Sequence, residues 1–270
     1  MKIYNKLCNH KNNFIDIMEQ IIIKLDKKDQ KYTHNKKYTN RDYICGIIEV
    51  LSNNTSWRKY NGKINGRILN NKHNYYVKIG VYNELYKTNK NEYLKNNKKL
   101  SKELSIDSSF VPNKFGKEQL GRNIYYKNKK GRKITAIVDS KGIPLKIRLD
   151  EGNKHDARIA PKILKILKNN DEDITKYIFA DKAYDSNKIR KIIKSKRYKS
   201  IIPKRKYKNR KTRYLNKNEI KRYRKRIIIE NFFSWIKAYP KIDKIYEKTA
   251  VSYKGLLLLA ISMLIYKREK

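Results

Sequence analysis

Three carboxylates stand out in a chain that is otherwise strongly basic. Asp107 lies inside the β-patterned run SIDSSFV, Asp181 closes the short apolar run YIFAD, and Glu230 sits between III and NFFSW. A carboxylate in a strand-forming or apolar segment is disfavoured unless it has a partner. The C-terminal end of a strand is also where open sheets tend to place ligands. Converging carboxylates offer hard oxygens to Mg²⁺, which keeps some of its waters for reaction. Two such ions about 4 Å apart activate an attacking oxygen and stabilise a leaving one, the requirement of phosphodiester chemistry. An isolated Asp is more often a surface or capping residue. Three together, each at a strand end or within an apolar segment, point instead to a site.

Other acidic residues have simpler explanations. Asp139 fits a hairpin turn, Asp185 can cap a helix beginning near Ser186, and Asp171 and Asp173 fall in a polar stretch. His155 and Asp156, in GNKHDAR, suit turn formation or capping as well as support of a site.

The segment RYRKRIIIENFFSWIKAYPKI, from Arg222 to Ile242, can be tested by helical geometry. At about 100° per residue, Tyr223, Arg226, Glu230 and Lys237 fall within an arc of roughly 60°. Ile228, Ile229, Phe232, Phe233, Trp235 and Ile236 cover the opposite side. The expectation is an amphipathic helix docked by its apolar face, with Glu230 binding metal and Arg226 and Lys237 holding phosphates beside it. Surface i, i+4 ion pairing is the plainer alternative. Pro240 is expected to stop the helix.

Composition sets the partner class. Sixty-eight Lys and Arg against 25 Asp and Glu give a net charge of +43 over 270 residues, which calls for a polyanion such as nucleic acid. Part of this charge reflects a Lys-, Asn-, Ile- and Tyr-rich composition of the kind AT-rich genes encode. From Ser186 to Arg226 there are 20 basic residues and one acidic residue, Glu219. The part PKRKYKNRKTRYLNKNE has no apolar period and is expected to be a DNA-tracking loop. The longest apolar run, Gly255–Tyr266, is too short to cross a bilayer and is expected to be a buried helix, with no membrane partner. The N-terminal residues show no secretory signal. Cys8 and Cys45 make no disulfide framework, and Cys8 and His10 lack a second pair of zinc ligands.

The elements expected to position the carboxylates fall in two regions. Residues 1–100 are expected to be a small all-α region, helix-turn-helix-like and DNA-binding, with a plain helical bundle that reads no groove as the equal alternative. It includes a helix in NRDYICGIIEVLSNN capped by Asn40, a turn into Trp57, and a helical stretch around YYVKIGVYNELYKTN. Residues 101–270 are expected to follow the order strand, hairpin, helix, strand, helix, strand, long helix. The hairpin turns at DSKG. This is an α/β pattern, a mixed sheet with flanking helices.

On these residues the chain resembles DDE transposases with an RNase-H-like catalytic domain, of the bacterial insertion-sequence families four and five, more closely the latter. RDYICGIIEVLSNNTSWRKY resembles their N-terminal helical segment, IDSSFVPNK the first-aspartate block, GNKHDAR the segment after the hairpin, and ADKAYDS the second-aspartate block. Tyr223, Arg226, Glu230 and Lys237 reproduce the family spacing of Tyr, two residues, Arg, three, Glu, six, Lys. YEKTAVSYKGLLLLA resembles the closing helix. The resemblance covers nearly all the chain from about Tyr38 onward. Ala183 departs from it, standing where the family usually has Gly, and only 48 residues separate Asp181 from Glu230, so a large β insertion is absent.

The resemblance implies that Asp107, Asp181 and Glu230 are the catalytic and metal-binding triad for two Mg²⁺ or Mn²⁺ ions. It implies that Tyr223, Arg226 and Lys237 contact DNA near the cut end. It further implies cleavage at element ends, strand transfer into target DNA, a homodimer on double-stranded DNA, and a location with that DNA inside a prokaryote, a nucleus or a viral factory. A domesticated DNA-binding descendant is the first competing expectation, ahead of a general basic nucleic-acid-binding protein and a stand-alone nuclease of the same fold. The domesticated descendant would keep the fold and lose the reaction.

Overall fold

The protein was studied as a computed structural model that describes residues 13–26, 37–53, 55–97, 102–167, 176–204 and 214–269. Along the chain, helices α1 (Asn13–Leu25), α2 (Asn40–Ser52), α3 (Gly66–Lys78) and α4 (Val81–Asn96) precede strands β1 (Glu103–Pro112), β2 (Gly121–Asn123), β3 (Lys129–Val138) and β4 (Pro144–Glu151). Then come α5 (Asp156–Leu164), β5 (Lys176–Phe179), α6 (Asn187–Ser195), β6 (Tyr198–Ile201), α7 (Lys217–Tyr223), α8 (Ile227–Lys237), α9 (Pro240–Asp243) and α10 (Ala250–Glu269). Two compact units result. The first comprises Met1–Asn96, Asn113–Glu118 and Ile236–Lys270; the second comprises Asn97–Pro112 and Gln119–Trp235.

The second unit is built on a six-stranded mixed sheet in the order β2-β3-β1-β5-β6, with β4 also paired to β3. β1 runs antiparallel to β3 and parallel to β5, and β5 runs parallel to β6. This is the α/β, RNase-H-like arrangement expected from the sequence. β1 is central, and Leu104, Ile106, Phe110 and Val111 are buried along it. Strands inside such a sheet lose water on both faces, which accounts for the apolar runs of β3 and β5. The β3–β4 hairpin turns as DSKG suggests. Buried Asp139 accepts hydrogen bonds from the Lys141 and Ile143 amides, both at 2.9 Å. Gly142 there has φ +78°, and a Cβ would stand 2.7 Å from the Trp235 ring, so both conformation and space call for glycine.

The first unit is helical. The α2 cap is Thr39 rather than Asn40, because Thr39 and Asp42 close a reciprocal capping box. The stretch around YYVKIGVYNELYKTN forms two helices, since Gly80 adopts φ +83° between α3 and α4. α10 has 20 residues, more than its apolar run. By length and composition it would span a bilayer, but 72% of its most apolar stretch is buried inside the protein. Pro240 does not end the preceding helix, which closes at Lys237. It opens α9 instead, where the missing N–H has no helical partner to lose. Cys8, His10, Asp171, Asp173 and most of the expected basic loop lie outside the described residues.

A buried polar network joins α3, α4 and α10. His73 is fully buried, with Nδ1 2.8 Å from the Tyr82 hydroxyl and Nε2 3.0 Å from the Ser252 hydroxyl. The Ser252 hydroxyl donates to Glu247 at 3.1 Å, and the Trp57 indole donates to the same carboxylate at 2.9 Å. These partners suit a neutral imidazole that accepts from Tyr82 and donates to Ser252. Burial pushes the His73 pKa down from 6.5 to about 4, against the opposing pull of Glu247. As pH falls through that interval, the unfolded chain binds a proton that the folded chain excludes, so stability is lost on acidification. Denaturant unfolding should show this loss between pH 6.5 and 4, and His73→Gln should flatten it. An unchanged slope in the variant would contradict a neutral buried imidazole.

Candidate active site

The register of the two parallel strands places the first two carboxylates. Ser105 pairs with Phe179, and two residues further the same offset brings Asp107 on β1 beside Asp181, just past β5. Asp107 also stands opposite Ala136 of β3, and its Oδ1 accepts from the Ser108 amide at 2.8 Å. Asp181 caps the short 3₁₀ turn Lys182–Tyr184 by accepting from the Ala183 amide at 2.7 Å. Ala183 does not have positive φ, so the turn does not require the glycine that the resembled family usually carries.

Glu230 comes from the helical stretch that follows. The even 100° wheel expected there is interrupted: α7 ends at Tyr223, Arg224–Arg226 tighten into a 3₁₀ turn, and α8 begins at Ile227. A 3₁₀ turn advances each residue by about 120°, which displaces Tyr223 from the regular row. On the expected apolar side of α8, Ile229, Phe232, Phe233 and Ile236 are buried while Ile228 and Trp235 are partly exposed, and Glu230 is exposed. The tightened turn is held against β1 by charge. Glu103 takes Lys225 at 2.7 Å and Arg222 at 3.5 Å, and four residues along the same strand face Asp107 takes Arg226 at 2.8 Å. The other guanidinium nitrogen of Arg226 binds Glu230. Arg226 is therefore a single cation shared by a strand carboxylate and a helix carboxylate. Tyr223 lies alongside, with its ring centroid 5.9 Å from the guanidinium carbon.

The structure thus brings Asp107, Asp181, Tyr223, Arg226 and Glu230 into one neighbourhood of the second unit. Lys237 is the last residue of α8 and belongs to the first unit, where burial lowers its pKa and Asp243 partly offsets this. Two features were not anticipated. Glu103 was passed over, although its even spacing from Asp107 places both on one strand face. Asp156, which the sequence leaves between capping and support of a site, accepts from Ser108 and from Lys133, the latter at 3.0 Å. Tyr184 reaches the same Ser108 hydroxyl at 3.4 Å. Successive strand residues alternate faces, so this cluster braces β1 and β3 behind Asp107. His155 occupies the α5 cap position without a side-chain capping bond. Ser186, not Asp185, caps α6, and Asp185 pairs with Arg190.

Among the described residues, no three acidic, His or Cys side chains close on one point as a metal cage. The donor chemistry nevertheless suits a hard divalent cation. Asp107 and Glu230 already share one cationic partner, and Asp181 adds carboxylate oxygens beside Asp107. Burial pushes Asp107 up to about 6 and Asp181 adds to the rise, while the Ser108 amide and Arg226 work against it.

Comparison with known proteins agrees with this architecture. Residues 98–265 match the family described as "Transposase DDE domain". A Brucella ovis protein named "Putative transposase for insertion sequence element IS6501" is 31% identical over 132 residues, 49% of this chain and 95% of that protein. No solved structure matches. The chain belongs to the DDE transposase domain family. Membership makes it a protein of transposition with DNA as its partner, and members generally use a divalent metal.

The shift of Asp107 has a checkable sign. Between its ordinary value of 3.8 and about 6 the folded protein keeps a proton that the unfolded chain releases, so this contribution to stability falls as pH rises through that window. A carboxyl ¹³C titration should give Asp107 a midpoint near 6, rising further in Arg226→Gln as the opposing cation is removed. Midpoints near 4 in both proteins would contradict the arrangement.

Proposed function

We propose that the chain is an active insertion-sequence transposase of the family four and five type, closest to family five. It cleaves DNA at the ends of its element and joins them to target DNA. The observation that carries this reading is that Asp107 and Glu230, far apart in sequence, meet on one cation beside Asp181 in a chain of this family. In this reading Asp107, Asp181 and Glu230 are the catalytic residues and hold two Mg²⁺ or Mn²⁺ ions. When bound, these ions supply activation of the attacking oxygen and charge stabilisation of the leaving one. Water cleaves the phosphodiester at the element end, and the freed 3′-hydroxyl attacks target DNA with no covalent protein intermediate.

The remaining roles follow from charge and position. Arg226 holds the two carboxylates in register and, with Tyr223 and Lys237, takes DNA near the cut end. The basic stretch from Ser186 to Arg226 tracks the backbone by displacing counterions. Residues 1–100 bind DNA through their helices, and residues 101–270 carry the chemistry. The protein acts as a homodimer on paired ends, inside the cell that carries the element. The ion pair between Arg226 and Glu230 also fits a domesticated binder that no longer cuts.

Purified protein, DNA flanking its gene and Mg²⁺ or Mn²⁺ separate the two. Wild type should cut at the element ends and join them to a plasmid. Glu230→Gln should lose at least ~100-fold of that activity while still binding DNA, since even supporting partners of metal ligands are worth about 10–100-fold. Equal binding with no cutting by either protein would overturn the transposase reading and favour the binder.

A further inference from the structure

The turn after β2 displays apolar side chains where a soluble surface has little use for them. Ile124 is 83% exposed, Tyr125 87% and Tyr126 50%. The display is rigidly held. Asn123 is buried, its side-chain oxygen accepts from the Tyr125 backbone amide at 3.0 Å, and its side-chain nitrogen donates to the Gly152 carbonyl at 3.1 Å. The Tyr126 ring packs 4.7 Å from Phe110. Lys127 and Asn128 both take left-handed backbone, φ 51° and 54°, and Arg122 reaches back to the Asn128 carbonyl at 3.4 Å. A sequence that places two successive non-glycine residues in that region is building a fixed tip.

Its charge names the partner. Arg122, Lys127, Lys129 and Lys130 surround the tip, all exposed, and no acidic residue occurs from Gln119 to Val138. Apolar side chains flanked along the chain by cations, with the nearest acidic residues Asp150 and Glu151 paired across β3 below the tip, suit nucleic acid, whose phosphates meet the cations while its bases meet the apolar tip. An apolar protein partner would leave those charges desolvated and unpaired.

Strand register gives the reach. Ala136 lies opposite Asp107, and Lys129 at the start of β3 lies opposite Asn123. Those seven residues of strand span about 23 Å at roughly 3.3 Å each, or about seven base pairs at 3.4 Å. β1 also runs towards the tip from Asp107, the direction in which β5 runs towards Asp181.

The geometry points to Ile124 and Tyr125 as an apolar wedge that enters duplex DNA about seven base pairs from the cut, with Lys127, Lys129 and Lys130 on the flanking phosphates. This contact rests on the transposase reading for its placement on the element end. As a DNA contact it stands without catalysis.

Duplexes carrying the element end, with 2-aminopurine stepped along the first twelve or so base pairs, test the placement. Wild type should raise fluorescence about seven base pairs from the end. Ile124→Ser with Tyr125→Ser should abolish the rise and weaken binding about tenfold, at an unchanged salt slope. Lys127→Gln with Lys129→Gln and Lys130→Gln should instead lower the salt slope by about 2 to 3. All five residues are exposed, and circular dichroism checks that both variants fold. Both variants binding as wild type does, with the fluorescence rise intact, would overturn the wedge. So would normal DNA binding by a variant whose sedimentation shifts from dimer to monomer, since the tip would then be a protein interface. Wild-type protein that prefers element ends no more than random duplex would count against the transposase reading. The wedge would still be judged on the random duplex, by the affinity and salt slopes of the variants.

Discussion

One guanidinium organises the acidic centre. Arg226 bonds Asp107 on the central strand and Glu230 one helical turn further along its own segment. Carboxylates so close together repel, and a half-buried one loses hydration as well. Burial, with the charge of Asp181, pushes Asp107 upward, and a fixed cation opposes that push. Arg suits the position better than Lys, because its planar fork presents separate nitrogens to two acceptors at once. The ion pairs of Glu103 with Lys225 and Arg222 repeat the device four residues earlier on the same strand, where greater exposure makes each pair weak. Together they seat a tightened helical turn across β1 and fix where α8 begins.

The rest of the second unit serves that seating. β1 is central, paired antiparallel on one side and parallel on the other. The parallel side carries Asp181 to the level of Asp107, and the antiparallel side gives Lys133, whose ammonium meets Asp156 behind the strand. The apolar face of α8 holds Glu230 in place, and Gly142 leaves room for Trp235 there. The site is thus an outcome of strand register and helix docking.

Some of this was legible in the residues and some was not. Local patterns read well. DSKG gave its hairpin, four of the six residues on the expected apolar side of α8 are buried while Ile228 and Trp235 are partly exposed, and apart from the short β2 the strand-and-helix order of the sheet region followed from composition and punctuation. Features set by contacts distant in sequence were not legible. Nothing near Arg226 announces a partner 119 residues away, and nothing near His73 announces Ser252, 179 residues on. The break at Arg224–Arg226 also escaped a helical wheel, because a 3₁₀ turn keeps helical dihedrals while changing the angular step. Gly80 was a missed local signal, since a glycine within an even polar-apolar pattern marks a helix end. The aspartates were conspicuous as acidic residues in basic or apolar company. Their mutual distance and their shared cation belong to the fold.

In the proposed reading, Asp107, Asp181 and Glu230 together hold the metal ions, with Arg226 as the resident countercharge. Iron-directed backbone cleavage tests it most directly. Fe²⁺ substituted for Mg²⁺, with ascorbate and peroxide, cuts the chain only beside the bound ion. Cuts should be confined to the segments around residues 107, 181 and 230, suppressed by excess Mg²⁺ and lost in Asp107→Asn. Cuts elsewhere, or none above background while the protein stays folded, would contradict it.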